Sequence, residues 1–229
     1  PAGKLLGFIV SGRGTEANPD KIRALSQLDI PKDLKQIQKL TRCVAALSRF
    51  ISRLGEKALP LYRLLRHTGH FECAGAATAG LEEIKAILAT NPVLAAPNLG
   101  EPMLLYIAAT HQVVSAVLVV ERETEGHKFP LQKPVYYVST VLNPCKSRYP
   151  HYLKIAYAVY MASPRLRHCF QECSITVASE VPLNDIINNR DATGRIAKWA
   201  IELLPFDITY KPQRAIKSQV LADFSLNGL

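Results

Sequence analysis

Short apolar runs broken by polar turns dominate the second half of the chain. Residues 102–118 hold two runs rich in Val, Ile and Leu, separated by the polar stretch 109–112. Runs of this length around a polar turn are typical of a buried antiparallel hairpin. Residues 133–139 continue the pattern as a third strand, and residues 152–168 place apolar side chains at helical spacing. Three strands followed by a helix predict a mixed sheet.

The pattern after this helix completes the predicted domain. Pro164 falls inside the helix and is expected to kink or break it. We expect a strand at 174–178, a short helix at 182–187, an amphipathic helix at 193–204 that carries Trp199, an edge strand at 206–210 and a final helix at 217–224. The fold class that follows is α+β or mixed α/β.

The first hundred residues are predicted to be mostly helical. Residues 4–11 read as one strand, and Asn18 followed by Pro19 is a strong start signal for a first helix. A second helix is expected from about Pro31 to Arg53, a third over 58–66 and a fourth over 76–89. The Pro-Asn-Leu-Gly stretch at 97–100 is the predicted linker, and the domain boundary is placed there.

The second helix is predicted to have one apolar and one cationic face. Its apolar stripe consists of Leu34, Ile37, Leu40, Val44, Leu47 and Ile51, and its cationic stripe of Lys32, Lys35, Lys39, Arg42, Arg49 and Arg53. A helix of this kind can lie along a phosphate backbone. Taken without any family context, a merely solvated charged face is the more common explanation.

Charge is concentrated at the same end of the chain. The 229 residues carry a net charge of +9, and the first 66 hold thirteen Lys and Arg against five Asp and Glu. The five cysteines are scattered without a Cys-x-x-Cys pair, which favours a reducing interior over a zinc site. No apolar run is long enough for a membrane span. The first residues lack an initiator Met and a signal-peptide layout, so we expect a piece of a longer polypeptide.

Two adjacent segments resemble a known family. Residues 106–110 (Tyr-Ile-Ala-Ala-Thr) and 115–118 (Ser-Ala-Val-Leu) are similar to the Tyr-Thr-Asp-Ala-Ser and Gly-Ala-Val-Leu segments of the ribonuclease H domain in the pol polyprotein of gypsy-type LTR retrotransposons, with plant lineages the most similar. Segments at 5–11, 18–22, 46–51, 92–94, 134–139 and 221–224 extend the resemblance over nearly the whole chain.

The resemblance implies a domain order. Residues 1–15 would end a reverse transcriptase palm, 16–67 would form the thumb, 68–100 the connection, and 101–229 a ribonuclease H-like domain with a five-stranded mixed sheet and flanking helices. Because thumbs of this family follow the template–primer duplex, the resemblance favours nucleic-acid binding by the cationic stripe. The implied partners are an RNA–DNA hybrid or DNA duplex and the rest of the polyprotein, inside the cytoplasm or nucleus.

The family's nuclease site can be compared position by position. Ribonuclease H uses two divalent cations about 4 Å apart, normally Mg²⁺, held by four carboxylates. Ala108 and Ile155 stand at the first two of these positions, where neither side chain can bind a metal. Glu180 and Asp223 stand at the third and fourth and keep a carboxylate. We therefore expect no intact catalytic set and no bound metal, with Glu180 and Asp223 as remnants.

Other catalytic chemistry has little support in the sequence. The polymerase motif Tyr-x-Asp-Asp is absent, and His111, His127, His151 and His168 lack the partner patterns of nucleophilic catalysis. The leading hypothesis is a duplex-binding, structural part of a pol polyprotein with an inactive nuclease site. The alternatives are an active RNA–DNA hybrid nuclease that uses Glu180 and Asp223, and a protein-interaction module without a nucleic-acid role.

Overall fold

The computed structural model describes residues 3–5, 8–12, 14–65, 75–123, 130–189 and 192–213. The chain divides into two compact units, Pro1–Ala96 and Pro97–Leu229. We refer to them as unit 1 and unit 2. The division falls at the start of the predicted linker. The predicted final helix, together with Asp223, lies outside the described residues, as do Cys73 and His127.

Unit 1 contains a four-stranded antiparallel sheet in the order β1-β2-β3-β4. Its strands are β1 (Gly3–Leu5), β2 (Phe8–Ser11), β3 (Gly14–Ala17) and β4 (Val93–Leu94). The prediction of one strand over 4–11 is wrong, because β1 and β2 pair antiparallel with Gly3 opposite Val10. Gly14 has a φ of 135°, and a Cβ there would lie 2.0 Å from the Leu94 carbonyl oxygen, so the close approach of β3 and β4 requires glycine.

The first two helices of unit 1 begin at residues whose side chains cap them. They are α1 (Pro19–Ser26), α2 (Leu34–Ala46), α3 (Leu54–Lys57), α4 (Leu59–Leu64) and α5 (Gly75–Ala89). The Asn18 side chain accepts a hydrogen bond from the Asp20 N–H, and the Asp33 side chain accepts one from the Gln36 N–H. Gly80 of α5 allows close packing, since a Cβ there would lie 2.3 Å from the Lys57 carbonyl oxygen.

Helix α2 is shorter than its sequence pattern indicates. It ends at Ala46, and a 3-10 turn, Ser48–Phe50, follows. Leu47, Phe50 and Ile51 are nevertheless buried. The apolar periodicity therefore continues past the helix end. A pattern of buried positions extends to Ile51, but the helix stops at Ala46, so the prediction of one helix to Arg53 is wrong.

Unit 2 is built on a five-stranded mixed sheet in the order β7-β6-β5-β8-β9. Its strands are β5 (Met103–Ala109), β6 (Val113–Arg122), β7 (Leu131–Val141), β8 (Ile175–Ser179) and β9 (Ile208–Pro212). Strands β5, β6 and β7 form an antiparallel meander, whereas β8 runs parallel to β5 and β9 parallel to β8. The predicted mixed α/β fold is confirmed, and β6 is buried from Val113 through Val120 because both sheet faces are covered.

Within the described part of unit 2, five helices accompany this sheet. They are α6 (Pro144–Ser147), α7 (His151–Arg165), α8 (Arg167–Glu172), α9 (Leu183–Ile187) and α10 (Gly194–Leu203). Pro164 lies one residue before the end of α7, so the predicted break occurs at the helix terminus. A proline has no N–H for the Tyr160 carbonyl, and the Ser163 hydroxyl donates to that oxygen instead at 3.1 Å. No helix among the described residues is long and apolar enough to cross a membrane.

Candidate nucleic-acid interface and nuclease site

The exposed face of α2 carries a row of cations. Lys35, Lys39 and Arg42 are all exposed, and they span about 10 Å along the helix at 1.5 Å per residue. Lys32 is also exposed and immediately precedes the Asp33 cap. Within the part of the chain that the structure describes, none of these four side chains lies within ion-pair distance of a carboxylate. We call this set the α2 cationic row.

The opposite face of α2 fixes the orientation of this row. Ile37, Leu40 and Val44 are at most 1% exposed. The Thr41 hydroxyl donates to the Ile37 carbonyl oxygen at 2.9 Å, which satisfies the hydroxyl within the buried face. Leu34 departs from the predicted apolar stripe, since it lies in the first turn with 45% exposure. The buried stripe therefore holds the cations toward solvent.

The last two cations of the predicted stripe lie elsewhere. Arg49 belongs to the 3-10 turn, and its Cζ lies 4.5 Å from the ring centre of Phe8, at a distance typical of a cation–π contact. Arg53 is 5% exposed, has a φ of 53° and forms an ion pair with Glu56, with Nε donating to Oε1 at 2.8 Å. The expected position of Arg53 on the exposed face is therefore wrong, because the helix ends before it and its charge is used inside unit 1.

In unit 2, the counterparts of the nuclease positions meet at one edge of the sheet. Parallel strands β5 and β8 pair with Tyr106 opposite Ala178, so both strands end at the same edge. Ala108 lies near the end of β5, and Glu180 directly follows β8. The His151 Nε2 at the start of α7 lies 2.6 Å from the Glu180 carboxylate, which joins α7 to the loop after β8.

Lys154 joins α7 to the turn after β5. Its side chain is buried, and Nζ donates to the carbonyl oxygens of Thr110 at 3.3 Å and His111 at 3.0 Å. Ile155, the next residue, is 1% exposed. The sequence positions 108, 155 and 180 therefore lie around the same edge, which is where the resemblance to ribonuclease H expects the metal site.

Small and apolar groups surround Ala108. It packs against a buried cluster that includes Tyr106, Val117 and Ala178. Its cross-strand partner is Ser115, which is fully buried, and the Ser115 hydroxyl lies 2.8 Å from the Ser139 hydroxyl. The two hydroxyls bond to each other, and the described residues that pack around Ala108 offer no carboxylate oxygen.

The described residues do not fit a two-cation centre. Divalent cations of the Mg²⁺ type need several carboxylate oxygens, and the edge described above presents one carboxylate, Glu180, which is 60% exposed and already faces His151. The buried Lys154 side chain beside this edge supplies an amine and no carboxylate oxygen. Across the described ranges, no group of three or more His, Cys, Asp or Glu is placed to hold a metal ion. The remnant role of Asp223 stays a prediction.

Sequence reasoning missed two features of unit 2. A lysine in an amphipathic helix is normally assigned to the surface, so the buried Lys154 gave no signal. The second feature is an aromatic cluster of Tyr149, Tyr157, Tyr160 and Trp199 between α7 and α10. Its signal was available, because tyrosines recur at steps of three, five and three residues in 149–160, but the pattern was taken only as helical.

Known proteins are similar to this chain over both units. Residues 98–206 match the family described as the RNase H-like domain found in reverse transcriptase. The chain is 26% identical to the retrovirus-related Pol polyprotein from transposon opus of Drosophila melanogaster, over 96% of the chain and 22% of that polyprotein. It is 25% identical to the transposon Tf2-3 polyprotein of Schizosaccharomyces pombe, over 93% of the chain and 16% of that polyprotein. The chain thus spans about a fifth of these relatives' length.

Solved structures show the same fold. The foamy viral protease-reverse transcriptase in complex with an RNA/DNA hybrid is similar with a TM-score of 0.73 and 20% identity, over 94% of this chain and 30% of that one. The same viral protein in complex with double-stranded DNA gives a TM-score of 0.72 and 19% identity, over 95% and 46%. Residues 98–206 are thus similar to the RNase H-like domain found in reverse transcriptase, within a chain that is similar to retrotransposon Pol polyproteins.

Proposed function

We propose that this chain is a duplex-binding, structural part of a retrotransposon Pol polyprotein and that its RNase H-like unit does not cleave RNA. The observation that carries the binding role is the α2 cationic row, whose four exposed cations lack acidic partners among the described residues. The observation that supports the loss of cleavage is the apolar surrounding of Ala108 and Ile155.

The spacing of the α2 cationic row suits a phosphate backbone. Successive phosphates of one strand advance about 3.4 Å along a DNA axis. Lys35 to Arg42 span roughly 10 Å at 1.5 Å per helical residue, which equals about three phosphate spacings and therefore reaches about four phosphates. Contacts of this kind position a protein on a duplex without reading its sequence. The structural neighbours, which hold an RNA/DNA hybrid or double-stranded DNA, support the same class of ligand.

The chemistry at the sheet edge supports a binding role without cleavage. Two of the four positions that bind metal in the family carry a methyl group and a buried isoleucine, Ala108 and Ile155. Groups that act as a catalytic unit lose most of their effect when one member is removed. Glu180 keeps its carboxylate but is engaged with His151.

The finer identity forms part of this proposal. We assign the parent element to the gypsy type and to a plant lineage, with residues 1–15 from the palm, 16–67 from the thumb and 68–100 from the connection. The partners would be an RNA–DNA hybrid or DNA duplex, the remaining reverse transcriptase and the downstream domains of the polyprotein. The site of action would be the cytoplasm or nucleus.

The salt dependence of duplex binding tests the proposal. Affinity for a short RNA–DNA hybrid, measured by fluorescence anisotropy at increasing KCl, should fall with a log–log slope of about −3 to −4 or steeper, since each of the four cations of the α2 cationic row contributes about −0.9 when it contacts a phosphate. The same titration with a poly-glutamate peptide serves as the reference for general charge attraction. An affinity for the hybrid that does not change with salt would instead favour a protein-interaction module.

A further inference from the structure

We propose that unit 2 makes a second phosphate-backbone contact through Lys146, Arg148, Arg195 and Lys198, a set that we call the α6–α10 cationic surface. The inference rests on the proposed duplex binding and extends it, because α2 and its cations belong to unit 1 alone. Its partner is the sugar–phosphate backbone of a nucleic acid, contacted without base readout.

The aromatic cluster brings these cations together. The rings of Tyr149, Tyr157 and Tyr160 have centres 6.3, 5.6 and 5.7 Å from that of Trp199. Tyr157 and Tyr160 belong to α7, Trp199 belongs to α10, and Tyr149 lies just before α7. The two helices are therefore joined at the cluster. As a result, cations that are about fifty residues apart in sequence share one surface.

Two of the cations are held in place by these rings. The Arg195 Cζ lies 4.5 Å from the ring centre of Tyr149. The Lys146 Nζ lies 4.4 Å from the ring centre of Tyr157 and donates to its hydroxyl at 2.8 Å. A cation that is already positioned loses less side-chain freedom when it meets a phosphate. These contacts therefore prepare the surface for an anion.

The other two cations are exposed beside the cluster. Arg148 precedes Tyr149, Lys198 precedes Trp199, and both side chains are exposed. Neither of them has a carboxylate within ion-pair distance in the described part of the chain. Among the described residues, an acid that adjoins the cluster is Glu202, which lies near Tyr160. Burial and, after it, the Glu202 charge raise the pKa of that tyrosine. Glu202 therefore marks an edge of the surface.

The burial of the rings decides the kind of contact. Trp199 is 5% exposed and Tyr157 is 8% exposed. The faces of these two rings are thus closed to stacking by bases, and the Arg195 guanidinium lies against the half-buried ring of Tyr149. A ligand would therefore contact the charged side chains. Such contacts bind the phosphate backbone and do not read the base sequence. The contact should therefore be equally strong for duplexes of different sequence.

A double charge reversal in the full chain tests the surface. Arg148→Glu/Lys198→Glu should lower the affinity for a 20-bp RNA–DNA hybrid about tenfold or more and reduce the salt slope by about 2, because two phosphate contacts are lost. The matched control is Lys133→Glu/Lys211→Glu, which changes net charge equally on the two edge strands and should leave affinity within about twofold. Thermal melting curves recorded by circular dichroism show whether both double variants are folded.

The remaining outcomes separate this inference from the proposed function. Unchanged hybrid affinity in Arg148→Glu/Lys198→Glu, together with a loss in a variant of the α2 cationic row, overturns the inference and leaves the proposed function standing. No loss in either variant overturns both. An equal loss in the control overturns the inference, since net charge would then explain it. The inference would also be overturned if Arg148→Glu/Lys198→Glu bound a poly-glutamate peptide more weakly but bound the hybrid as the wild type does. That result would favour an acidic protein partner.

Discussion

Replacing Lys35, Lys39 and Arg42 by glutamate is expected to lower the affinity for an RNA–DNA hybrid about 100-fold or more at low salt. All three side chains are exposed on one face of α2, and the opposite face is buried. The substitutions therefore turn attraction to phosphates into repulsion without disturbing the packing of unit 1. Anisotropy titrations of the wild-type chain and the triple variant, under identical salt, measure the difference.

A charge-conserving variant at the same positions is the control. Lys35→Arg/Lys39→Arg/Arg42→Lys keeps every positive charge and should bind within about threefold of wild type, because phosphate contacts of this kind depend mainly on charge. Equal affinity of the glutamate variant and the wild type would contradict a role for the α2 cationic row, whatever the rest of the chain contributes.

Trp199→Ala is expected to lower the free energy of unfolding of unit 2 by about 3–5 kcal/mol, as for other large-to-small core changes. Trp199 is 5% exposed and contacts Tyr149, Tyr157 and Tyr160, so alanine removes three ring contacts and leaves a cavity between α7 and α10. Differential scanning calorimetry of the full chain resolves the transition of unit 2 from that of unit 1 if the two unfold separately.

Trp199→Phe is the matched control for this prediction. A phenylalanine keeps an aromatic ring in the cluster and should cost about 1–2 kcal/mol, since part of the buried area and the ring contacts remain. If the alanine and phenylalanine variants both melt as the wild type does, the junction of α7 and α10 contributes little to the stability of unit 2, contrary to the packing described above.

Local signals predicted the elements whose ends carry capping residues or breakers. Asn18 and Pro19 begin α1 as expected, whereas α2 was expected from about Pro31 and begins after the Asp33 cap. The strands of unit 2 also follow the prediction, because their apolar runs are short and are separated by polar turns. In these cases the determining interactions lie within a few residues, which is the range that a sequence pattern describes.

The differences arise where tertiary packing replaces local preference. Nothing in the sequence before Gly55 stops α2, and Leu47 and Ile51 keep the helical period, yet the helix ends at Ala46 and a 3-10 turn buries the same side chains. Arg53 adopts a left-handed backbone that allows its ion pair with Glu56. A periodic pattern states which side chains are inside but not which backbone conformation places them there.

The positions that the resemblance assigned to the nuclease site lie close together, and their role in such a site stays a prediction. The resemblance assigned Ala108, Ile155 and Glu180 to one site, and the structure brings these positions to one edge of the sheet. The contacts that join them were not predictable, since the Glu180–His151 pair and the Lys154 hydrogen bonds connect residues 29 to 44 positions apart. Pairing over such separations depends on the fold as a whole rather than on local sequence.

Duplex binding without RNA cleavage is tested most directly by following an end-labelled RNA strand in an RNA–DNA hybrid at protein concentrations that saturate binding. With Mg²⁺ or Mn²⁺ present, we expect the RNA to stay full length in the bound complex, while an active ribonuclease H in parallel degrades it. RNA fragments that accumulate with the wild-type chain and disappear with Asp223→Ala would contradict this expectation and show that a working metal site has survived.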